Sequence, residues 1–182
     1  MEYGRPVKLP DGRYFLKISN YIAQLNNVKL VDSLLGSSVT FTVPESQQQV
    51  VTNMDETLIA KAKECKQEWF GKELSDEAIQ SAFQASLTDD TISVSPARLK
   101  GEIVTVAYDT KKNSVDLQDV KEGQTCDAML ELAGLWFLKK SFGPIWRVVK
   151  VRVRGAVQPV YKEYLFSDSP EDDEPDPADY LD

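Results

Sequence analysis

The spacing of apolar residues changes twice along this chain, from alternation to helical stripes and back, and so predicts strands, then helices, then strands. Arg13 to Ile18 reads as a strand after a lead marked by Pro and Gly, and Tyr21 to Leu35 is mixed and closed by Gly36. Val39, Phe41 and Val43 alternate with polar neighbours, the period of a half-buried strand, and Pro44 stops it. Asp55 then stands as the N-cap of a helix with Leu58, Ala62, Cys65 and Trp69 on one stripe and Gly71 just beyond. Ser75 opens a second helix, with Asp76 and Glu77 in its first turn and Ile79, Ala82, Phe83 and Leu87 facing inward. Both stripes read as core packing rather than as a binding groove.

From Ser93 onward the residues become β-branched and alternating. Lys100 to Tyr108 is a predicted strand, with Glu102, Val104, Val106 and Tyr108 on one face against Ile103, Thr105 and Ala107 on the other. Asp109 to Asn113 is a turn and Val115 to Val120 the returning partner, a hairpin with a basic tip at Lys111 and Lys112. Asp127 to Lys139 is apolar on both faces apart from Glu131, with Gly134 in the middle, a pattern that suits a bent strand shared by both sides of a small closed barrel. Ser141 to Pro144 is a turn, and Ile145 to Arg154 the closing strand. The expected fold is mainly β with a helical insertion (α+β): an oligonucleotide/oligosaccharide-binding (OB) barrel over residues 1–166, with the insertion at about 55–88. The usual OB decoration is a helix between the third and fourth strands, and that is the expectation here.

Charge refines this picture. The sixteen residues from Ser167 to Asp182 carry eight carboxylates and no Lys or Arg, so the net charge of −8 belongs entirely to this tail and the body balances 21 acids against 21 bases. Pro170, Pro175 and Pro177 keep the tail out of any sheet, and a block of like charge stays extended. Within the body, Leu132 to Lys162 contains no acid and seven cations. The tail reads either as a solubilising extension or as a polyanion mimic for that cationic segment.

The chain has no histidine, which excludes Ser-His and Cys-His catalysis and removes the commonest neutral metal ligand. No phosphate-binding glycine loop, paired-cysteine metal site or compact carboxylate cluster is present in the body, so a non-enzymatic protein without cofactor or metal is expected. Cys65 and Cys126 lack metal-ligand spacing and fit reduced, buried thiols. No apolar run approaches the roughly 20 residues of a membrane span, and Met1 to Pro10 lacks a secretory pattern. A soluble intracellular protein, neither secreted nor membrane-bound, is expected.

Strict alternation in the closing strand puts Val149, Val151 and Val153 on one face and Trp146, Val148, Lys150, Arg152 and Arg154 on the other. An indole beside three cations is the composition that stacks a base and neutralises neighbouring phosphates. Trp136, Phe137, Lys139, Lys140, Phe142 and Arg147 extend the mixture across the hairpin, with Phe142 in a turn where it would fill no core. The alternative is that Trp136, Phe137 and Trp146 are core aromatics edged by snorkelling lysines.

The run from Leu130 to Lys150, LELAGLWFLKKSFGPIWRVVK, resembles the signature segment of single-stranded-DNA-binding proteins of nucleo-cytoplasmic large DNA viruses, especially the algal-virus branch. That group is similar to the single-strand binder of short-tailed phages. The resemblance implies an OB barrel followed by an acidic tail with a terminal aromatic; here the chain ends Asp179-Tyr180-Leu181-Asp182. It further implies sequence-independent binding of single-stranded DNA in replication, recombination or repair at a viral replication site in the host nucleus or cytoplasm. The tail (Asp172, Asp173, Glu174, Asp176 and Asp179, with Tyr180 and Leu181 as apolar anchor) is then expected to compete with DNA and, once displaced, to recruit polymerase, primase or helicase. In the phage relatives the tail also exchanges between subunits, which allows a homodimer. Rival readings are a virion structural or scaffold barrel, and an accessory module that docks only protein.

Overall fold

The computed structural model describes residues 1–155. Seven strands and three helices carry the architecture: β1 (Tyr14–Ser19), β2 (Ile22–Leu30), β3 (Val39–Thr42), α1 (Glu45–Glu64), α2 (Lys66–Phe70), α3 (Asp76–Ala82), β4 (Thr91–Pro96), β5 (Val106–Tyr108), β6 (Thr125–Phe137) and β7 (Phe142–Val153). Shorter two-residue strands are named below by their residues. The segment Tyr21 to Leu35, mixed by sequence, is mostly the single strand β2.

The pairings close a ring in the order β6, β2, β3, β4, β7 and back to β6, antiparallel throughout except for β4 with β7. Closure leaves these five strands without a free ladder edge inside the ring. The two long strands make it possible. β6 pairs along one edge with β7, while its other edge is divided between β2 at Thr125–Glu131 and β1 at Gly134–Phe137. β7 divides its second edge in the same way, between β4 at Arg147–Val148 and β5 at Lys150–Arg152. Gly134 is the hinge of this arrangement: a Cβ there would lie 2.3 Å from the Leu16 carbonyl oxygen and 2.6 Å from a Phe15 ring carbon. Only glycine lets the strand change partners at that point.

The helices connect β3 to β4, the third and fourth of these seven strands in chain order. They start earlier than the expected insertion at about 55–88. Pro44 both ends β3 and occupies the N-cap position of α1, since its fixed φ suits a helix start and it has no amide proton to leave unpaired. Asp55 is therefore no N-cap. It lies in the middle of α1 and is buried with Val51, Met54, Leu58, Ile59 and Ala62. The predicted α2 end holds, with Gly71 left-handed at φ 69°. Ser75 caps α3, its Oγ accepting from the Ala78 amide at 3.1 Å.

Two further expectations are corrected. The strand predicted over Lys100 to Tyr108 is interrupted: Lys100 and Gly101 adopt φ of 51° and 83°, and Glu102–Ile103 folds back on Arg98–Leu99 as a separate hairpin. The returning strand at Val115 to Val120 reduces to Ser114–Val115, after which Leu117–Asp119 is a 3-10 turn that buries Val120. Burial of apolar side chains from β1, β2, β3, α1, α3, β4, β6 and β7 forms one continuous core.

Candidate nucleic-acid interface

Three bulges decide which side chains of the long hairpin reach the surface. Met129 pairs with Lys150 but Leu130 pairs with Val148, so Val149 is an extra residue in β7. The strict alternation read from sequence is thereby reset. Trp146, Val148, Val151 and Val153 all face the core, while Lys150, Arg152 and Arg154 are exposed and Arg147 is half-buried. A second extra residue, Ala133, sits in β6 opposite the Trp146–Ile145 step.

The expectation that Trp146 shares an outer face with the cations is therefore wrong. Trp146 is 3% exposed, and its indole Nε1 donates to Ser86 Oγ at 2.8 Å. That hydroxyl donates in turn to Asp55 Oδ1 at 2.5 Å, while the Ser86 amide donates to Asp55 Oδ2 at 2.8 Å. Burial raises the pKa of Asp55 above the ordinary carboxylate range, against the lowering effect of these hydrogen bonds. The expectation for Phe142 fails as well. It starts β7, is 1% exposed, and stacks on its cross-strand partner Phe137 with ring centroids 5.7 Å apart and planes 6° apart. Phe70 and Phe83 close on it edge-on at 5.2 and 5.3 Å, so an aromatic cluster absorbs a residue that had seemed too close to a turn to be core. Trp136 is half-buried and lies across Gly143, where a Cβ would come within 3.0 Å of its ring.

The third bulge is in β2. Cys126 pairs with Val28 but Ala128 pairs with Leu25, and the extra residue is accommodated by Asn27 at φ 56°, a conformation asparagine tolerates. The bulge turns the Asn27 amide toward Asp127, whose Oδ1 accepts it at 3.1 Å. Asp127 is 4% exposed and holds both Arg152 of β7 and Arg154 just beyond its end. Arg152 donates to Oδ2 from Nη2 at 2.6 Å and Nε at 2.8 Å, and Arg154 Nε donates to Oδ1 at 2.9 Å. Burial pushes the Asp127 pKa upward, but the hydrogen bonds from Arg154, Arg152 and the Asn27 amide outweigh it and the net shift is downward. The carboxylate is thus a fixed anion under two guanidiniums whose side chains remain 44% and 49% exposed.

Above this anchor lies a concave groove of about 310 Å³ lined by Gln24, Tyr108, Asp109, Lys112, Asp127, Met129, Lys150, Val151 and Arg152. The parallel register of β5 on β7 sets Tyr108 beside Arg152 and Val106 beside Lys150. Lys112 reaches the groove from the predicted turn, which Asp109 builds. Its Oδ1 accepts the amides of Lys111 and Asn113, its Oδ2 accepts the Asn113 side chain, and Lys112 itself sits at φ 68°. Hydrogen bonding to those groups lowers the Asp109 pKa. Both acids of the groove are thereby committed to neighbours, and Lys112 and Lys150 remain as cations beside a phenol and the thioether of Met129.

Residues 26–168 match the model of a family described as a family of unknown function, DUF5871. The chain belongs to that family. No curated protein matches this DUF5871 sequence. Among solved structures, the single-stranded DNA-binding protein from bacteriophage Enc34 in a C-terminal truncation is similar to it with a TM-score of 0.51 and 12% identity, over 85% of this chain and 96% of that one. The same phage protein in complex with single-stranded DNA is similar with a TM-score of 0.50 and 11% identity, over 86% and 97% of the two chains. A third structure of the Enc34 protein gives a TM-score of 0.50 and 12% identity, over 92% and 98%. At such identities the likeness is one of fold: this DUF5871 chain is a mostly β protein with a fold like that of the Enc34 protein.

The groove assembles only part of the predicted set. Lys112, Lys150 and Arg152 line it, Arg154 joins through Asp127, and Lys111 lies exposed at its rim turn. Lys139 and Lys140 are exposed in the turn between β6 and β7, separated from Lys150 by roughly 26 Å of strand, where with Arg13 and Lys72 they border a separate cavity of about 950 Å³. The tail residues Asp172, Asp173, Glu174, Asp176, Asp179, Tyr180 and Leu181 lie outside the described residues. Sequence reasoning missed Tyr108, Met129 and Asp127. The signal for Tyr108 was its place directly before the basic turn, on the same alternation face as Val104 and Val106.

Proposed function

We propose that this protein binds single-stranded DNA without sequence preference, as a binding protein and not an enzyme. The groove carries the reading: Tyr108 and Met129 offer apolar surface to an unpaired base, and Lys112, Lys150 and the outer edge of Arg152 stand where its phosphates would run. The fold likeness to the Enc34 protein supports it, since that protein is described as a single-stranded DNA-binding protein and one of the similar structures holds single-stranded DNA.

The finer reading places the protein in viral DNA replication, recombination or repair, at the replication site inside the host cell, as the resemblance of Leu130 to Lys150 implies. The acidic tail competes with DNA for the groove's cations and, when displaced, engages polymerase, primase or helicase through Tyr180 and Leu181; exchange of tails would pair two copies. Titration of fluorescent oligonucleotides, single and double stranded, at two salt concentrations tests the core claim. Tighter single-strand binding that weakens with salt is the expected result. Equal affinity for both forms, or no binding, would overturn it.

A further inference from the structure

We propose that the single-strand path continues beyond the groove along the outer face of residues 104–108 and onto the hairpin Arg98–Ile103, so that Leu99 contacts bases while Arg98 and Lys100 hold phosphates. The inference rests on the single-strand reading above and deepens it by naming a second contact region.

Five observations carry it. Among the described residues, Leu99 is the most exposed large apolar side chain, at 65%. Val104 and Val106 are exposed at 47% and 37%, and alternation places them on one face with Tyr108, whereas Thr105 and Ala107 between them are buried. The result is an apolar strip of about 20 Å that begins in the groove at Tyr108 and ends at the hairpin. Cations accompany it at both ends: Lys150 pairs in register with Val106, and Arg98 and Lys100 flank Leu99, with Glu102 opposite leaving the hairpin a net positive charge.

The hairpin is also held in place. Thr105 Oγ1 donates to the Val148 carbonyl at 2.7 Å and accepts the Ala97 amide at 2.9 Å, which ties the hairpin base to β7. At the tip, Arg98 Nη1 donates to the Gly101 carbonyl at 2.9 Å across a turn that forces Lys100 to φ 51°. A fixed apolar tip between two cations is suited to intrude between bases, because little ordering remains to be done on binding. Unpaired bases satisfy the apolar strip and phosphates satisfy the flanking charge, and both are offered by one ligand already lying in the adjoining groove.

The test compares oligothymidylates of about 4 and about 12 nucleotides, the range a single OB barrel covers. The wild-type protein should bind the longer one more tightly. The double variant Leu99→Ser, Val104→Ser should bind it roughly five- to tenfold more weakly than wild type while leaving the shorter one unaffected. Arg98→Ala with Lys100→Ala should lower the salt slope on the longer oligonucleotide by about 1.4 and not on the shorter. All four side chains are exposed, and an unchanged melting temperature will confirm that the fold is intact. Wild-type affinity that does not grow with length, or variants indistinguishable from wild type on the longer strand, would overturn the extension and leave the groove standing. Failure of the wild type to bind either oligonucleotide would overturn both.

Discussion

Arg152 grips a single oxygen of Asp127 with two donors, Nη2 at 2.6 Å and Nε at 2.8 Å, and so turns only part of its guanidinium to solvent. Arg154 takes the other oxygen, and the three side chains together carry one net positive charge. The orientation of both arginines is thus set before any ligand arrives, at the expense of half their charge.

Asp127→Asn should therefore raise the net charge of this cluster, tighten single-strand binding at low salt and steepen the salt slope by up to about 0.7. Filter binding across a salt series reads both effects. A slope that stays the same would show that the arginines make no phosphate contact. The wild-type cluster also has a pH signature. Because the Asp127 pKa is lowered on folding, its stabilisation is present above the ordinary carboxylate range and is lost as pH falls through the lowered value.

Tyr108 supplies the aromatic surface of the groove. Tyr108→Ala should weaken binding by about 1–3 kcal/mol, the worth of one stacked base, whereas Tyr108→Phe should retain it. Oligonucleotide titration with a parallel melting curve separates lost stacking from lost folding. Equal binding by the alanine variant would place the bases elsewhere.

Ser86 links a helix to the barrel by joining Asp55 of α1 to Trp146 of β7. Ser86→Ala removes two hydrogen bonds and leaves a buried indole donor unpaired, so stability should fall by about 2 kcal/mol in urea unfolding. Trp146 fluorescence should shift in the same variant. An effect below about 0.5 kcal/mol would mean that water replaces the hydroxyl.

At Gly134 the nearest obstacles are backbone and a packed ring, so Gly134→Ala should cost about 3 kcal/mol or prevent folding. Gly12 offers a control for space, since a Cβ there meets nothing within 4 Å; its φ of 90° confines the effect of Gly12→Ala to local backbone strain. Thermal melting of the two variants distinguishes a clash from simple loss of glycine.

Removing residues 167–182 takes away eight carboxylates that the proposed function sets against the groove's cations. Single-strand affinity should rise at low salt and converge with the full chain at high salt, as screening cancels the competition. Identical affinity at both salt concentrations would remove the autoinhibitory role of the tail.

The chain's own pattern determined most of the ring. Alternation marked β1, β3 and the outer face of residues 104–108; the two-faced apolar run with its central glycine marked β6 as the shared, bent strand; and Asp109 with its lysines marked the turn. These signals are local, a matter of side-chain period and backbone preference within a few residues, and local energetics suffice to express them. Helix α1 escaped in part because Gln47 to Gln49 carry no apolar stripe, so its first turns rest on Pro44 and on packing.

What the tertiary structure alone decided is which aromatics are buried and which charges meet. A single extra residue, Val149, turns Trp146 inward and separates it from Lys150, Arg152 and Arg154, because one residue of register exchanges the two faces of a strand. Phe142 is core because rings from α2, β6 and the segment after α3 converge on it. Asp127 meets the Asn27 amide across 100 positions of sequence, through the pairing of β2 with β6, and no period along the chain encodes that distance. Periodicity reports which side chains share a face; only closure of the barrel, with its bulges, brings a carboxylate, two guanidiniums and a phenol from three separate stretches to one groove.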